Sequence, residues 1–383
     1  MKIVWFSEIK WSYLRTRKQQ IITRRPAGVQ LLFLEPYVRS RANPYRLREE
    51  DGIFCAMVPF VKSAPGFPWR NVLALRSARG AVDLFARTRI ERILKQLSFV
   101  SPTTGFITSN IFAADIISSL PRRFLVYDCN DDHSSFPGME PWTRTYFDRT
   151  CRDADAVFAS SSALLEKVTA VRGGPLGCSY LGNGVDYERF QKNGDGMGRS
   201  TGEGRPRLGY IGAVAPWLDF DALADLARRR PEWDIVLVGP VLLGVEDQLM
   251  RLTALPNVSH MQAVPYDDVP GVLARFTLGL IPFRYNELTR GVNPNKMYEY
   301  LACGLPVVTT RFSSEVEKHP GVVAAADPGA DFFRACEAFV ETVSRADARA
   351  ELSKRAQSVA RDNDWKNIAA EFWRRIEEMA NRS

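Results

Sequence analysis

Lys296 and Glu299 stand three residues apart in the stretch NPNKMYEYLACGLPVV, Asn293 to Val308. On a helix that spacing puts a cation and a carboxylate on one face. A helix that starts near Asn295 or Lys296 adds free N–H groups and a dipole that favour an anion. Just upstream, PFRYNELTRGVNPNK supplies Arg284 and Arg290, and Asn293 belongs to the same run. Cations so placed suit a diphosphate, and the carboxylate suits a sugar diol. Gly212 closes RLGYIG and Gly239 closes DIVLVG, two apolar runs whose ends would let a ligand approach the backbone. Purely structural counterparts exist for each feature: an ordinary helical ion pair and two tight turns.

A second constellation is acidic. VYDCNDDHSSFPG holds Asp128, Asp131, Asp132 and His133 directly after an apolar run. An Asp or His there could deprotonate an acceptor hydroxyl, or could orient a sugar without taking its proton. Asp153-Ala154-Asp155 imitates a metal-binding DxD. It precedes an apolar run rather than following one, so it reads as a helix–strand junction. Trp5, Trp11 and Tyr13 follow or end the first run and could stack on a sugar or fill a core.

These groups need strands to carry them. Apolar runs of four to six residues occur at 2–6, 29–34, 53–58, 105–108, 124–128 and 156–160, with amphipathic stretches such as 70–97 and 161–170 between them. That rhythm predicts βαβ repetition and a parallel sheet covered on both faces. Gln191 to Pro206 is rich in glycine and nearly free of apolar residues, the composition of a linker. The rhythm then restarts at 207–212, 234–239, 257–261, 278–283 and 322–325. The expected fold is α/β, with two doubly wound Rossmann-like domains facing across a cleft. The expected division is 1–190, a linker at 191–206, a second domain at 207–364 and a C-terminal helix at 365–383 that crosses back. In such sheets ligands sit beyond the carboxyl ends of the strands.

Composition narrows the function classes. In 383 residues, 45% hydrophobic and 25% charged, no apolar run is long enough to span a membrane. The N-terminus meets Glu8 and Lys10 too early for a signal peptide. Six scattered cysteines show no metal or redox spacing and read as reduced core thiols of a cytoplasmic protein. Charge is lopsided: residues 1–100 hold 19 Lys and Arg against 7 Asp and Glu, a net of +12 in a chain whose total is +7. Three clusters carry it, at Arg15 to Arg25, Arg39 to Arg48, and Arg87 to Lys95. They imply a polyanion, an anionic membrane surface or a phosphorylated substrate as partner. Nucleic acid is not expected, since no recognised nucleic-acid module accompanies the charge.

NPNKMYEYLACGLPVV resembles the nucleotide-sugar site of two-domain, GT-B-fold glycosyltransferases. With it, VYDCNDDHSSFPG, DADAVFASSSALLEKV and LGNGVDYERF resemble bacterial family-four enzymes that build exopolysaccharides and cell-wall polymers. The resemblance runs from about residue 120 to the end. It implies transfer of a sugar from a UDP- or GDP-sugar to a lipid-linked or polysaccharide acceptor, without a metal or any cofactor beyond the donor. Glu299 would hold the donor ribose and Lys296 its phosphates. The family-four resemblance further implies retention, with sugar-orienting groups at the acidic constellation. The chain departs from the family pattern at Gly291, where a first Glu is usual, and at AVAPWLDF, where an Arg and a Lys usually follow the glycine turn. Two other readings keep the fold: a UDP-sugar 2-epimerase, and a non-catalytic sugar-nucleotide-binding subunit. A transferase with such an acceptor would work in the cytoplasm, peripherally on the inner membrane face.

Overall fold

The computed structural model describes residues 1–13, 15–37, 46–62, 70–99, 103–136, 138–194 and 204–382. The chain divides into two compact units, Met1–Leu181 with Ala369–Ser383, and Gly182–Ile368. Of the basic cluster around residue 40, Arg39 and Arg41 lie outside the described residues, as does most of the Gly-rich stretch 191–206.

The first unit is built on β1 (Lys2–Phe6), β2 (Gln30–Pro36), β3 (Arg48–Glu50), β4 (Ile53–Val58), β5 (Gly105–Thr108), β6 (Leu125–Cys129), β7 (Ala156–Ala159) and β8 (Cys178–Tyr180). Their order in the sheet is β3-β4-β2-β1-β5-β6-β7-β8. All neighbours are parallel except β3 on β4. Val4 pairs with Leu32 on one side and with Phe106 on the other. The central strands are buried on both faces, which explains their unbroken apolar runs. Ser161 caps the helix Ser162–Arg172, its hydroxyl accepting from the Leu164 N–H at 3.2 Å.

The last helix, Trp365–Arg382, belongs to this unit from Ala369 onward. Its apolar stripe of Phe372, Trp373 and Ile376 is buried. Phe372 stacks on Trp5 with ring centroids 5.7 Å apart and meets Phe158 edge-on at 5.2 Å. The Trp373 indole donates to the Ile21 carbonyl at 2.9 Å. Trp5 is therefore core. Trp11 is also buried, edge-on to Phe33, with its indole on Asp51. Of the three aromatics that could have met a sugar, Tyr13 alone is exposed. Asp155 accepts from the Leu125 N–H at 2.7 Å, at the junction of a helix and a strand.

The second unit is a six-stranded parallel sheet of β9 (Arg207–Ile211), β10 (Asp234–Val238), β11 (Val258–Met261), β12 (Leu278–Ile281), β13 (Val307–Thr310) and β14 (Val323–Ala326), ordered β11-β10-β9-β12-β13-β14. This unit begins ahead of the Gly-rich stretch because Val185, Tyr187 and Phe190 pack in its core. The packed helix Tyr187–Gly194 carries them.

Phe372 joins helix to sheet through its ring contacts with Trp5 and Phe158, so Phe372→Ala leaves a cavity in that core. A loss of about 3–5 kcal/mol of first-unit stability is expected. Urea unfolding followed by a first-unit probe measures it.

Candidate nucleotide-sugar and acceptor sites

In the second sheet the chain runs outward from β9 to β11, then returns to β12 on the other side of β9. The loops after β9 and β12 therefore diverge, leaving a gap at the carboxyl edge where ligands of such sheets bind. Gly212 and Gly239 turn there with φ of 145° and 148°. A Cβ on Gly239 would lie 2.0 Å from the Gly212 carbonyl oxygen, and one on Gly212 would lie 2.9 Å from Lys296 Cε. The Gly212 N–H donates to the Val238 carbonyl at 2.9 Å, tying the two turns together. No side chain fits at either position.

Lys296 occupies the space so kept. It is half-buried near the start of the helix Asn295–Ala302, its Nζ 5.3 Å from the Tyr210 ring centre and 5.0 Å from that of Phe283. Among the described residues no carboxylate forms an ion pair with it. Burial lowers its pKa to about 8, and the pull of Glu299 opposes that. Glu299 is pushed up to about 7 by burial, against Lys296 and a hydrogen bond from the Tyr266 hydroxyl. The ring of Tyr266 lies under the Arg189 guanidinium at 5.6 Å. Tyr300 reinforces the floor, its hydroxyl accepting from the Ile211 N–H at 2.7 Å.

Gly212, Gly239, Lys296 and Glu299 thus converge. The other three sequence candidates differ. Arg284 is exposed and lies 3.6 Å from Asp221. Arg290 is exposed at the end of the helix Glu287–Arg290. Asn293 is buried and structural in its contacts: its carbonyl accepts from Asn183 at 2.8 Å, and its amide reaches Glu315 at 3.3 Å. Gly291 ends the short helix in ordinary right-handed backbone. Tyr210, Tyr266 and Phe283 were not among the sequence candidates, because an aromatic on a strand or loop carries no sign of which way it faces.

In the first unit the acidic constellation gathers at the ends of β1, β5 and β6. Asp128 is fully buried and receives Arg17 Nε at 2.9 and 3.1 Å. Burial raises its pKa, with Arg17 opposing. Asp132 is buried too, accepting from Ser134 at 2.6 Å, from Ser135 at 2.5 Å and from Lys167. Burial would raise Asp132, but Lys167 and the two serines outweigh it and hold it low. Asp131 and His133 are less enclosed. Burial raises Asp131 against the pull of His133 and Lys18. The His133 ring stacks on Phe136 at 5.9 Å, and its Nε2 is buried without a partner among the described residues.

Glu8 joins this group, unannounced by any motif. It pairs with the buried Lys18 and accepts from Ser109 at 2.9 Å. Lys18 and His133 overcome the upward push of burial and leave Glu8 below its ordinary value. So Arg17 and Lys18, which in sequence read as basic surface, are internal counter-ions. Arg48 likewise bonds Glu35 at 2.7 Å and Glu50 at 3.2 Å.

Residues 205–342 match the model of the family described as Glycosyl transferases group 1. TuaH of Bacillus subtilis (strain 168), a protein assigned as a teichuronic acid biosynthesis glycosyltransferase, is 30% identical over 223 residues. That match covers 57% of this chain and about half, 55%, of the relative's length. Among solved structures, Anabaena Alr3699/HepE in complex with UDP and glucose superposes with a TM-score of 0.68 at 16% identity, over 98% of this chain and 99% of that one. Sucrose-phosphate synthase of Thermosynechococcus elongatus gives 0.75 at 11% identity, over all of both chains. The structure described as trehalose-6-phosphate from E. coli bound with UDP-2-fluoro glucose gives 0.73 at 12%, over 99% of each.

The raised Glu299 pKa makes a testable link to stability. The folded state holds that proton more tightly than the unfolded chain, whose carboxyl titrates near ~4.3. Its contribution is whole at low pH and is lost as pH rises to about 7. Melting temperature should therefore fall across that window more steeply in the wild type than in Glu299→Gln. By sequence, residues 205–342 resemble the group 1 glycosyltransferases, and the chain has an α/β fold of two parallel-sheet, Rossmann-like units, the fold of the solved structures it superposes on.

Proposed function

We propose that the chain transfers a sugar from a nucleoside-diphosphate sugar to a lipid-linked or polysaccharide acceptor, with a UDP-sugar as the first donor to try and a GDP-sugar as the second. One observation carries this reading: a half-buried lysine with no carboxylate ion pair among the described residues, at a helix start beside two glycine turns at a strand-order reversal. Such a cation is unfavourable until an anion arrives. A diphosphate supplies that anion. The uridine diphosphate held by HepE favours UDP among the nucleotides.

When the glycosidic bond of the donor breaks, negative charge gathers on the diphosphate. Lys296 and the free N–H groups of Asn295–Ala302 lie ready to stabilise it without reorganising. Lys296 and the helix N-terminus then do the work a metal does elsewhere, and the donor is the only small molecule the reaction calls for. Glu299 takes the ribose hydroxyls, with Tyr266 holding the carboxylate in place. In the first unit Asp131 and His133 are the groups for the sugar and the acceptor hydroxyl, and Glu8 holds Lys18 in place beside them. Asp128 and Asp132 act through the cations they fix. Among the described residues no helix is long and apolar enough to cross a membrane. In this reading the enzyme meets a lipid-linked acceptor peripherally, on the cytoplasmic face.

Thermal shifts with UDP, GDP, ADP and their common sugars test the donor site. Ligand at about 100 times its Kd adds roughly 2.7 kcal/mol. One nucleotide should raise the wild-type Tm by several degrees and leave Lys296→Ala unchanged. Affinity should hold up to pH 7 and decline above pH about 8, as Lys296 loses its proton. If no nucleotide stabilises the wild type, the donor-site reading fails. A binding subunit would bind nucleotide yet never hydrolyse the donor, and Gly291 in place of the usual Glu is what favours it.

Asp131→Asn and His133→Ala are expected to cut donor turnover at least a hundredfold. The nucleotide-induced Tm rise should survive in both, since their contacts lie in the other unit.

A further inference from the structure

The loop that follows β9, residues 213–219, contains one aromatic ring, Trp217. Backbone bonds pin that loop to the end of β12. The Arg284 N–H donates to the Trp217 carbonyl at 2.7 Å, the Asp219 N–H donates to the Pro282 carbonyl at 2.7 Å, and Leu218 bridges to Phe283. The Val214 N–H donates to the Pro240 carbonyl at 2.9 Å, which ties the loop to the turn after β10 as well. Val214, Ala215 and Leu218 are fully buried, whereas Trp217 is only half-buried. A firmly held loop therefore keeps a bulky ring part way out of the core.

That ring belongs to the wall around Lys296. It meets Phe283 edge-on with centroids 6.5 Å apart, and the Lys296 Nζ lies 5.0 Å from the centre of Phe283. Its indole N–H donates to the hydroxyl of Tyr210, whose ring centre is 5.3 Å from the same Nζ. The Tyr210 hydroxyl in turn donates to the Ala213 carbonyl at 2.8 Å. With its N–H engaged in the wall, Trp217 has only its faces to present to a ligand. The face of an indole is negative and attracts the weakly positive C–H bonds on the flat side of a pyranose. Charge near the loop adds a second constraint. Residues 213–219 bring no cation, and Asp219 caps the helix Phe220–Arg229 by accepting from the Ala222 N–H at 3.0 Å. A cavity of about 550 Å³ beside it is lined by three carboxylates, Asp219, Asp221 and Asp225, and one guanidinium, Arg284.

We propose that Trp217 is the platform on which the transferred sugar of the donor stacks, and that it selects a neutral pyranose. The inference rests on the donor-site reading and deepens it. With the diphosphate held at Lys296, the sugar bonded to its outer phosphate comes next along the wall, against Trp217. A uronate there would bring another negative charge to a place whose lysine is already engaged by phosphate and whose neighbours are carboxylates. Like charges brought together in this way discriminate against the wrong ligand. A neutral hexose meets no such repulsion, and its apolar side and the indole face release water from one another.

Calorimetric titration of the full chain tests it, with UDP, UDP-glucose and UDP-glucuronate, and with GDP and GDP-mannose. Wild type should bind UDP-glucose about tenfold more tightly than UDP-glucuronate. In Trp217→Ala the neutral sugar nucleotide should weaken about tenfold, while the bare nucleotide stays within about twofold of the wild type. Trp217→Phe keeps a smaller ring in the wall and gives the same comparison if Trp217→Ala does not fold. There the sugar nucleotide should weaken about threefold and the bare nucleotide not at all. If GDP is the nucleotide that binds, GDP-mannose and GDP should divide in the same way. A ring that merely packs the loop would weaken nucleotide and sugar nucleotide alike, and that result overturns the proposal. So does a wild type that holds the glucuronate donor as tightly as the glucose donor. The two readings fail differently. A wild type that binds no nucleotide sinks the donor site and this inference with it, whereas nucleotide binding with no dependence of the sugar on Trp217 sinks this inference alone.

Discussion

At the carboxyl edge of the second sheet two strands end so close together that backbone packs directly on backbone. Gly239 presses on the Gly212 carbonyl, and Gly212 leaves just enough room for the aliphatic chain of Lys296. Both turns use positive φ that a side chain resists. That steric condition sets everything around it. It brings β9 and β10 into register at their ends, opens a path for the lysine, and leaves the charge short of water. The faces of Tyr210 and Phe283 compensate in part, since a ring offers a cation some attraction without neutralising it. A carboxylate at the same place would satisfy the lysine and close the site to anions.

The first unit solves the opposite problem. Its strand ends collect carboxylates, and most are matched by buried cations: Arg17 on Asp128, Lys18 on Glu8, Lys167 on Asp132. Removing one partner from such a pair strands the other and costs about 3–5 kcal/mol. The pairing therefore enforces one arrangement of the loops after β1 and β6. Asp131 and His133 are held by that frame without being consumed by it. In both units the matched charges build the scaffold, and the imperfectly matched ones are left for chemistry.

The same distinction reorganises the charge of the chain. Counted along the sequence, the first hundred residues carry a net basic excess in three clusters. Counted in three dimensions, several of those cations face inward or cap carbonyls, and among the described residues others, such as Arg92 and Lys95, form no ion pair. Net charge describes how a domain behaves at long range, whereas ion pairing decides which surface is felt at contact.

Much of this was readable from residue order. Buried parallel strands must be short apolar runs, so the strands at 53–58 and 105–108 sit where the pattern puts them. Glycine turns after β9 and β10, and the Lys–Glu spacing on Asn295–Ala302, announce themselves because only certain residues meet those local demands. The short strands β3 and β8 did not, since three half-exposed residues carry too little pattern. Nor did the roles of Glu8, Arg17, Tyr266 or Phe283. A sequence specifies what each stretch can form locally. Which carboxylate meets which cation, which ring faces the lysine, and which arginine is left unpaired are settled only when segments a hundred residues apart, such as Arg17 and Asp128, are brought to 2.9 Å. Those pairings depend on packing and desolvation between elements, and neither exists until the sheets have formed.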